Sequence, residues 1–161
     1  MRAYHSALNA LGLIIMIFGL LMAVPLAVSF GLGEGIRFRD SIIITFLVGL
    51  LLWVLTRRGR RDLRVHDGFL LVAATWIGLP VFGALPLLLN IPGLTVTDAY
   101  FEAVSGLTAT GGTVLTHLDD LPISLNLWRT FMHWVGGMGV IVLVVAILPL
   151  LGIGGRQLFK A

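Results

Sequence analysis

The chain has 161 residues, of which 58% are hydrophobic and 12% charged, with a formal net charge of +3 and no cysteine. A chain of this size cannot enclose so much apolar surface in a water-facing fold, so its solvent is lipid and it is an integral membrane protein. Lack of cysteine excludes a disulfide frame, thiolate catalysis and sulfur-ligated metal, and the basic residues, gathered in one short loop and at the chain ends, suit membrane topology and offer no face to nucleic acid.

The first apolar run, Ser6 to Phe30, has no charge between Leu11 and Val24 and at about 1.5 Å per residue can cross a hydrocarbon core of about 30 Å. Pro25 is expected to kink or end it. A cleaved signal peptide with small residues near Ala27 and Ser29 is the weaker reading, because Arg2 alone supplies a positive front end and the run is overlong. After a glycine-rich turn, Gly31 to Asp40, a second span runs from Ser41 to Thr56, with Arg57 and Arg58 able to snorkel. Arg57-Arg-Gly-Arg-Arg-Asp-Leu-Arg64 then gathers five arginines between two spans, which places this loop on the cytoplasmic side. The third span, Gly68 to Leu89, carries Pro80 and Pro86 and ends outside at Asn90-Ile-Pro-Gly93. The fourth, Asn126 to Leu151, returns inside, where Arg156 and Lys160 continue the positive bias. By parity the N-terminus is also cytoplasmic.

With that orientation Glu34, Asp40, Asp98, Glu102, Asp119 and Asp120 fall on or near the outer side, and Asp62 and Asp67 inside. An acidic outer mouth concentrates cations; taken singly, each is also an ordinary loop acid or helix-start carboxylate.

Between the third and fourth spans, Asp98-Ala-Tyr-Phe-Glu-Ala-Val-Ser-Gly-Leu-Thr-Ala-Thr-Gly-Gly-Thr113 is too short and too rich in small and hydroxyl residues to cross a bilayer. Thr95-Val-Thr-Asp98 fits a capping box that opens a helix near Val96. With Gly106 as its C-terminal glycine the helix has roughly ten residues and about 15 Å, half the hydrocarbon thickness. The pattern predicts a half-helix over about 96–107 and a bare loop over 108–113, climbing back through Thr116 to Pro122. A helix C-terminus carries about half a negative charge and free carbonyls, both favourable to a dehydrating cation. Glycine in Thr108-Ala-Thr-Gly-Gly-Thr113 lets successive carbonyls turn toward one axis and replace an ion's water shell. Irregular backbone at membrane depth is tolerated where protein buries it or where it lines a wet cavity, so this pattern points to an ion pathway.

A plain turn is the bland alternative for a threonine and glycine run. A phosphate loop is excluded, since no Gly-Lys-Ser/Thr follows. Arg129 and His133, four apart at the start of the fourth span, are intramembrane suspects; Arg129 reads first as an anchor, snorkelling or pairing with Glu102 or Asp119, and His133 as a packing residue. Trp53, Trp76, Trp128 and Trp134 suit interfacial belts, with Trp134 the one suited to packing inside. Gly136, Gly137 and Gly139 read as a close-packing surface. His5, His66, His117 and His133 share no metal-ligand spacing, and no catalytic constellation converges, so a membrane enzyme is disfavoured. A non-transporting scaffold with glycine-mediated helix packing is the second reading, told apart by whether residues 108–113 face a hydrated axis or a dry helix contact.

Four stretches, Asp67-Gly-Phe-Leu-Leu71, Phe101-Glu-Ala-Val-Ser-Gly-Leu-Thr-Ala-Thr-Gly111, Leu127-Trp-Arg129 with Trp134-Val-Gly-Gly-Met-Gly139, and Ile147-Leu-Pro-Leu-Leu-Gly-Ile-Gly-Gly-Arg-Gln-Leu-Phe159, resemble the Trk-type potassium transporters, the TrkH-like membrane subunit of the Trk, Ktr and HKT superfamily. The resemblance implies an all-α integral membrane fold: an introductory helix pair with its cytoplasmic arginine loop over 1–64, then the first helix, pore-loop, helix repeat over 65–161. It places the potassium-coordinating filter backbone on Thr108, Ala109, Thr110 and Gly111, with potassium at Ala109 and Thr110 and with Glu102 and Arg129 as vestibule or pore support. Two residues depart from the family pattern, Ala109 where threonine is frequent and Gly112 where alanine is frequent. One loop supplies about a quarter of a carbonyl ring, so the resemblance implies an amino-terminal fragment of a longer potassium uptake protein, or else four assembling copies. It further implies an inner-membrane location, a homodimer of complete subunits, and a cytosolic nucleotide-binding TrkA-like regulatory partner for which the Arg57 to Arg64 loop and Arg156 are contact candidates, beside anionic lipid.

Overall fold

The computed structural model describes residues 5–35, 38–57 and 65–150. Arg58 to Arg64, which hold most of the arginine-rich loop, and Arg156 and Lys160 lie outside the described residues, as does the end of the Ile147 to Phe159 stretch. All regular structure among the described residues is helical: α1 His5–Leu21, α2 Ala23–Gly31, α3 Arg39–Thr56, α4 Val65–Asn90, α5 Val96–Leu107 and α6 Ile123–Leu150, with a 3-10 turn at Leu118–Asp120. Three stretches are long and apolar enough to cross a membrane, His5–Gly31, Arg39–Thr56 and Asp67–Asn90, and α6 has 28 residues. Ile44, Leu47, Leu51 and Leu55 of α3 are 42% to 69% exposed, an outward apolar stripe that fits a lipid solvent.

The first apolar run breaks at Met22, between α1 and α2. Pro25 has no N–H to give the Leu21 carbonyl and its ring crowds that turn, so Met22 N–H bonds back to Gly19 O at 3.3 Å in a tightened turn. Glycine sets the spacing of α1 and α3: a Cβ on Gly12 would lie 2.8 Å from the Gly49 carbonyl oxygen, and one on Gly49 2.8 Å from that of Gly12. Beside this crossing the buried Asn9 amide donates to Trp53 O at 3.0 Å and to Thr56 Oγ1 at 3.2 Å.

Pro80 and Pro86 stay inside α4. Each disturbs the turn before it, and in each case the carbonyl three residues earlier takes a side-chain donor from another helix. Tyr100 Oη of α5 donates to Ile77 O at 3.2 Å, and Trp128 Nε1 of α6 donates to Gly83 O at 2.9 Å. Trp128 therefore does not sit in an interfacial belt. It is fully buried in the core with Phe18, Met22, Phe38, Leu87, Leu125 and Met132, where its polar edge has found a carbonyl. Trp134, suited by sequence to packing inside, is 59% exposed and stacks on Phe131 with ring centroids 5.4 Å apart.

Candidate ion-coordination site

α5 packs between α4 and α6. Thr95, extended at φ −79° and ψ 159°, caps it: its hydroxyl oxygen accepts from Asp98 N at 3.1 Å and its proton goes to Asp98 Oδ2 at 2.7 Å. With 12 residues the helix is about 18 Å long. Its last residue, Leu107, lies against Gly136, which is 13 residues past the start of α6, or about 20 Å along it. The half-helix thus ends about midway along its neighbour.

Gly106 is not the terminating glycine expected from sequence. It lies inside the last turn, where a Cβ would come 3.0 Å from Met132 Cβ; it is a packing glycine. The chain leaves the helix through Ala109, left-handed at φ 54°. Ala109 N–H bonds to Gly106 O at 2.9 Å and Thr110 N–H to Ser105 O at 3.0 Å, the paired closure that glycine ordinarily makes after a helix. An alanine in this region costs about 1–2 kcal/mol, so other contacts must hold it. Gly111 follows at φ 79°.

Residues 108–113 are all exposed and none is helical. No hydrogen bond within the described chain ends on the backbone oxygens of Thr108, Ala109, Thr110 or Gly111. Those of the flanking residues are used: Ser105 Oγ donates to Gly112 O at 2.6 Å, and Thr108 Oγ1 donates to Val104 O at 2.8 Å while lying 2.7 Å from Thr110 Oγ1. Four successive carbonyls are left bare on a loop tied back to α5 by the N–H groups of Thr108, Ala109 and Thr110 and by the hydroxyls of Thr108 and Thr113.

The outgoing strand is held by Glu102, 4% exposed. Its two oxygens divide the work. Oε1 accepts from the Thr113 hydroxyl, from Val114 N at 2.7 Å and from Leu115 N at 3.4 Å. Oε2 accepts from Arg129 Nε at 3.0 Å and Nη2 at 2.9 Å. Arg129 Nη2 also reaches Thr113 Oγ1 at 3.1 Å and Nη1 reaches Asn126 Oδ1 at 3.4 Å. The guanidinium therefore joins the outgoing segment, the half-helix and α6, and its partner is Glu102, with Asp119 left exposed on the 3-10 turn. His133 donates from Nδ1 to Arg129 O at 2.8 Å, a bond within α6.

The acids expected on the outer side are mostly drawn into structure. Asp98 accepts from the hydroxyl of the capping Thr95, Glu102 is in the clamp, and Asp40 pairs with Arg39 at 2.9 Å. Glu34 accepts from Ile123 N at 2.7 Å and from Ser124 N at 3.2 Å, capping the first turn of α6 from across the fold, which explains why α6 begins at Ile123, a turn ahead of the expected Asn126. Asp119 and Asp120 are exposed. Nothing in the sequence signals the Glu34 cap, whose partners are 89 and 90 residues away.

The family described as TrkH, cation transport protein, matches residues 34–161. The Trk system potassium uptake protein TrkH of Vibrio parahaemolyticus serotype O3:K6 is 42% identical over 98% of this chain and 33% of its own length; that of Escherichia coli K12 is 40% identical over the same shares, 98% and 33%. The crystal structure of the potassium transporter TrkH from Vibrio parahaemolyticus superposes with a TM-score of 0.86 at 41% identity, covering 96% of this chain and 34% of that one. The chain spans about a third of the length of the curated relatives it matches, 33% in both cases.

Proposed function

This chain belongs to the TrkH family of cation transport proteins, and from that premise we propose that it supplies one of several filter loops to a pore that takes up potassium across the cytoplasmic membrane. Its relatives are named as potassium uptake proteins. The four bare carbonyls of Thr108, Ala109, Thr110 and Gly111, at the end of a helix half a membrane long, carry the reading: a dehydrated cation needs several such oxygens, and one loop gives about a quarter of the ring. Potassium sits at Ala109 and Thr110. Residues 1–64 act as an introductory pair and 65–161 as the first helix, pore-loop, helix repeat, with both chain ends cytoplasmic. Glu102 and Arg129 support the loop and do not touch the ion. Further repeats complete the pore, and complete subunits pair and take a cytosolic nucleotide-binding regulator. A scaffold held by glycine contacts accounts for Gly12 and Gly49 but leaves the exposed carbonyl run without a purpose.

The test is potassium and sodium uptake by the complete subunit in vesicles. Gly111→Ser, which forces a side chain onto a left-handed glycine, should lower the preference for potassium. Unchanged rate and preference would sink the filter assignment.

A further inference from the structure

We propose that Gly136 is a positioning residue for the filter: the bare backbone of α6 there is the stop against which the last carbonyl of α5 rests, and it sets the height of Thr108 to Gly111. The inference rests on reading that loop as a filter. A Cβ placed on Gly136 would fall 1.9 Å from Leu107 O, 2.5 Å from Leu107 C and 2.8 Å from Leu107 Cα. All three are backbone atoms, so no rotamer change relieves the clash; one of the two segments has to move.

α6 is the less free of the two. Above Gly136 it is fixed to α4 by Trp128 Nε1 on Gly83 O at 2.9 Å and to α5 by Arg129 on Glu102 at 2.9 Å. Between Arg129 and Gly136 lies fully buried Met132, whose Sδ is 3.0 Å from where a Cβ on Gly83 would stand and whose Cβ is 3.0 Å from the same point on Gly106. The last turn of α5 has room instead. Leu107 and Gly136 both border an apolar cavity of about 410 Å³ that extends to Leu71, Trp76 and Leu79 of α4. A push at Leu107 passes directly into the filter, because Ala109 N–H and Thr110 N–H are bonded to Gly106 O and Ser105 O of the same turn. The two companion glycines are different: a Cβ on Gly137 or Gly139 would meet nothing within 4 Å.

The experiment compares Gly136→Ala, Gly137→Ala and Gly111→Ser in the complete subunit, reading the ratio of potassium to sodium uptake in vesicles. Gly136→Ala should lower the ratio about tenfold, equivalent to about 1.4 kcal/mol of differential ion binding, while Gly137→Ala leaves it unchanged. If Gly111→Ser lowers the ratio and Gly136→Ala does not, the positioning role is overturned and the filter reading stands. If neither lowers it, both fall. Should Gly136→Ala fail to assemble, Met132→Leu, a near-isosteric change where α6 packs on Gly106 one residue before Leu107, should shift the ratio in the same direction with potassium uptake retained, and an unchanged ratio there would overturn the proposal.

Discussion

Glu102 and Arg129 clamp the segment that leaves the loop, and breaking the clamp should be costly. Glu102 is 4% exposed, and the Arg129 side chain 13%, so neither can turn to water if its partner is removed. Arg129→Ala strips two charged donors from Oε2 and leaves the carboxylate with only the neutral donors of Thr113, Val114 and Leu115 on Oε1. Removing one partner of a buried pair costs about 3–5 kcal/mol. Glu102→Gln keeps the shape and one carbonyl oxygen for the Val114 N–H, but it turns an amide N–H₂ toward Arg129. The loss of charge-assisted bonds there costs about 1.5–3 kcal/mol.

The double variant Glu102→Gln with Arg129→Ala carries no stranded charge, so it should be less unstable than the two single losses added together. Residues in one network couple by about 0.5–3 kcal/mol, and this pair, with both charges nearly buried, belongs at the upper end. Thermal or denaturant unfolding of the complete subunit in detergent gives the four corners of the cycle, and potassium to sodium uptake reports whether the strand at Thr113 has slackened. Arg129→Lys should not rescue, because one ammonium cannot meet Oε2 through two donors and still reach Thr113 and Asn126. Additivity of the single losses within 0.3–0.5 kcal/mol, the ordinary scatter between independent sites, would refute the clamp.

Two further substitutions test the loop and its frame. Gly112 is not at positive φ, and an added Cβ would make ordinary contact with Phe101 Cζ at 3.6 Å and Ser105 Oγ at 3.7 Å, so Gly112→Ala should stabilise by about 0.4–1 kcal/mol; a lower unfolding temperature would contradict the backbone geometry. Glu34→Ala should cost about 0.5–2 kcal/mol through the lost cap on α6. Glu34→Gln should recover most of that at high salt and less at low salt, since its deficit is the carboxylate's attraction to the helix N-terminus; a salt-independent deficit would argue against the cap.

What could be read from the residues and what could not divides along sequence distance. The first three spans follow from apolar runs, and the start of α5 from Thr95 and Asp98, three apart, because both signals are local in the sequence. Gly106 misled because a glycine near a helix end is most often its terminator, and only the proximity of Met132 reveals a packing role; the left-handed turn then falls on Ala109, a residue with no local signal for it. Trp128 misled because tryptophan is at home in an interface as well as in a core, and its choice depends on a carbonyl 45 residues away, beside Pro86. Arg129 has two acids within plausible reach in the sequence, and which one it takes depends on α6 lying along α5. These missed features share a cause. The loop's own residues specify a bare ribbon but cannot hold it, since the carbonyls of Thr108 to Gly111 accept no hydrogen bond among the described residues and Ala109 is strained; besides Ser105 and Glu102 of α5, the holding contacts come from α6, through Arg129, Met132 and Gly136. Those positions fall at intervals of three and four residues, one face of one helix, and that face determines the height and slack of the ribbon as firmly as the glycines within it.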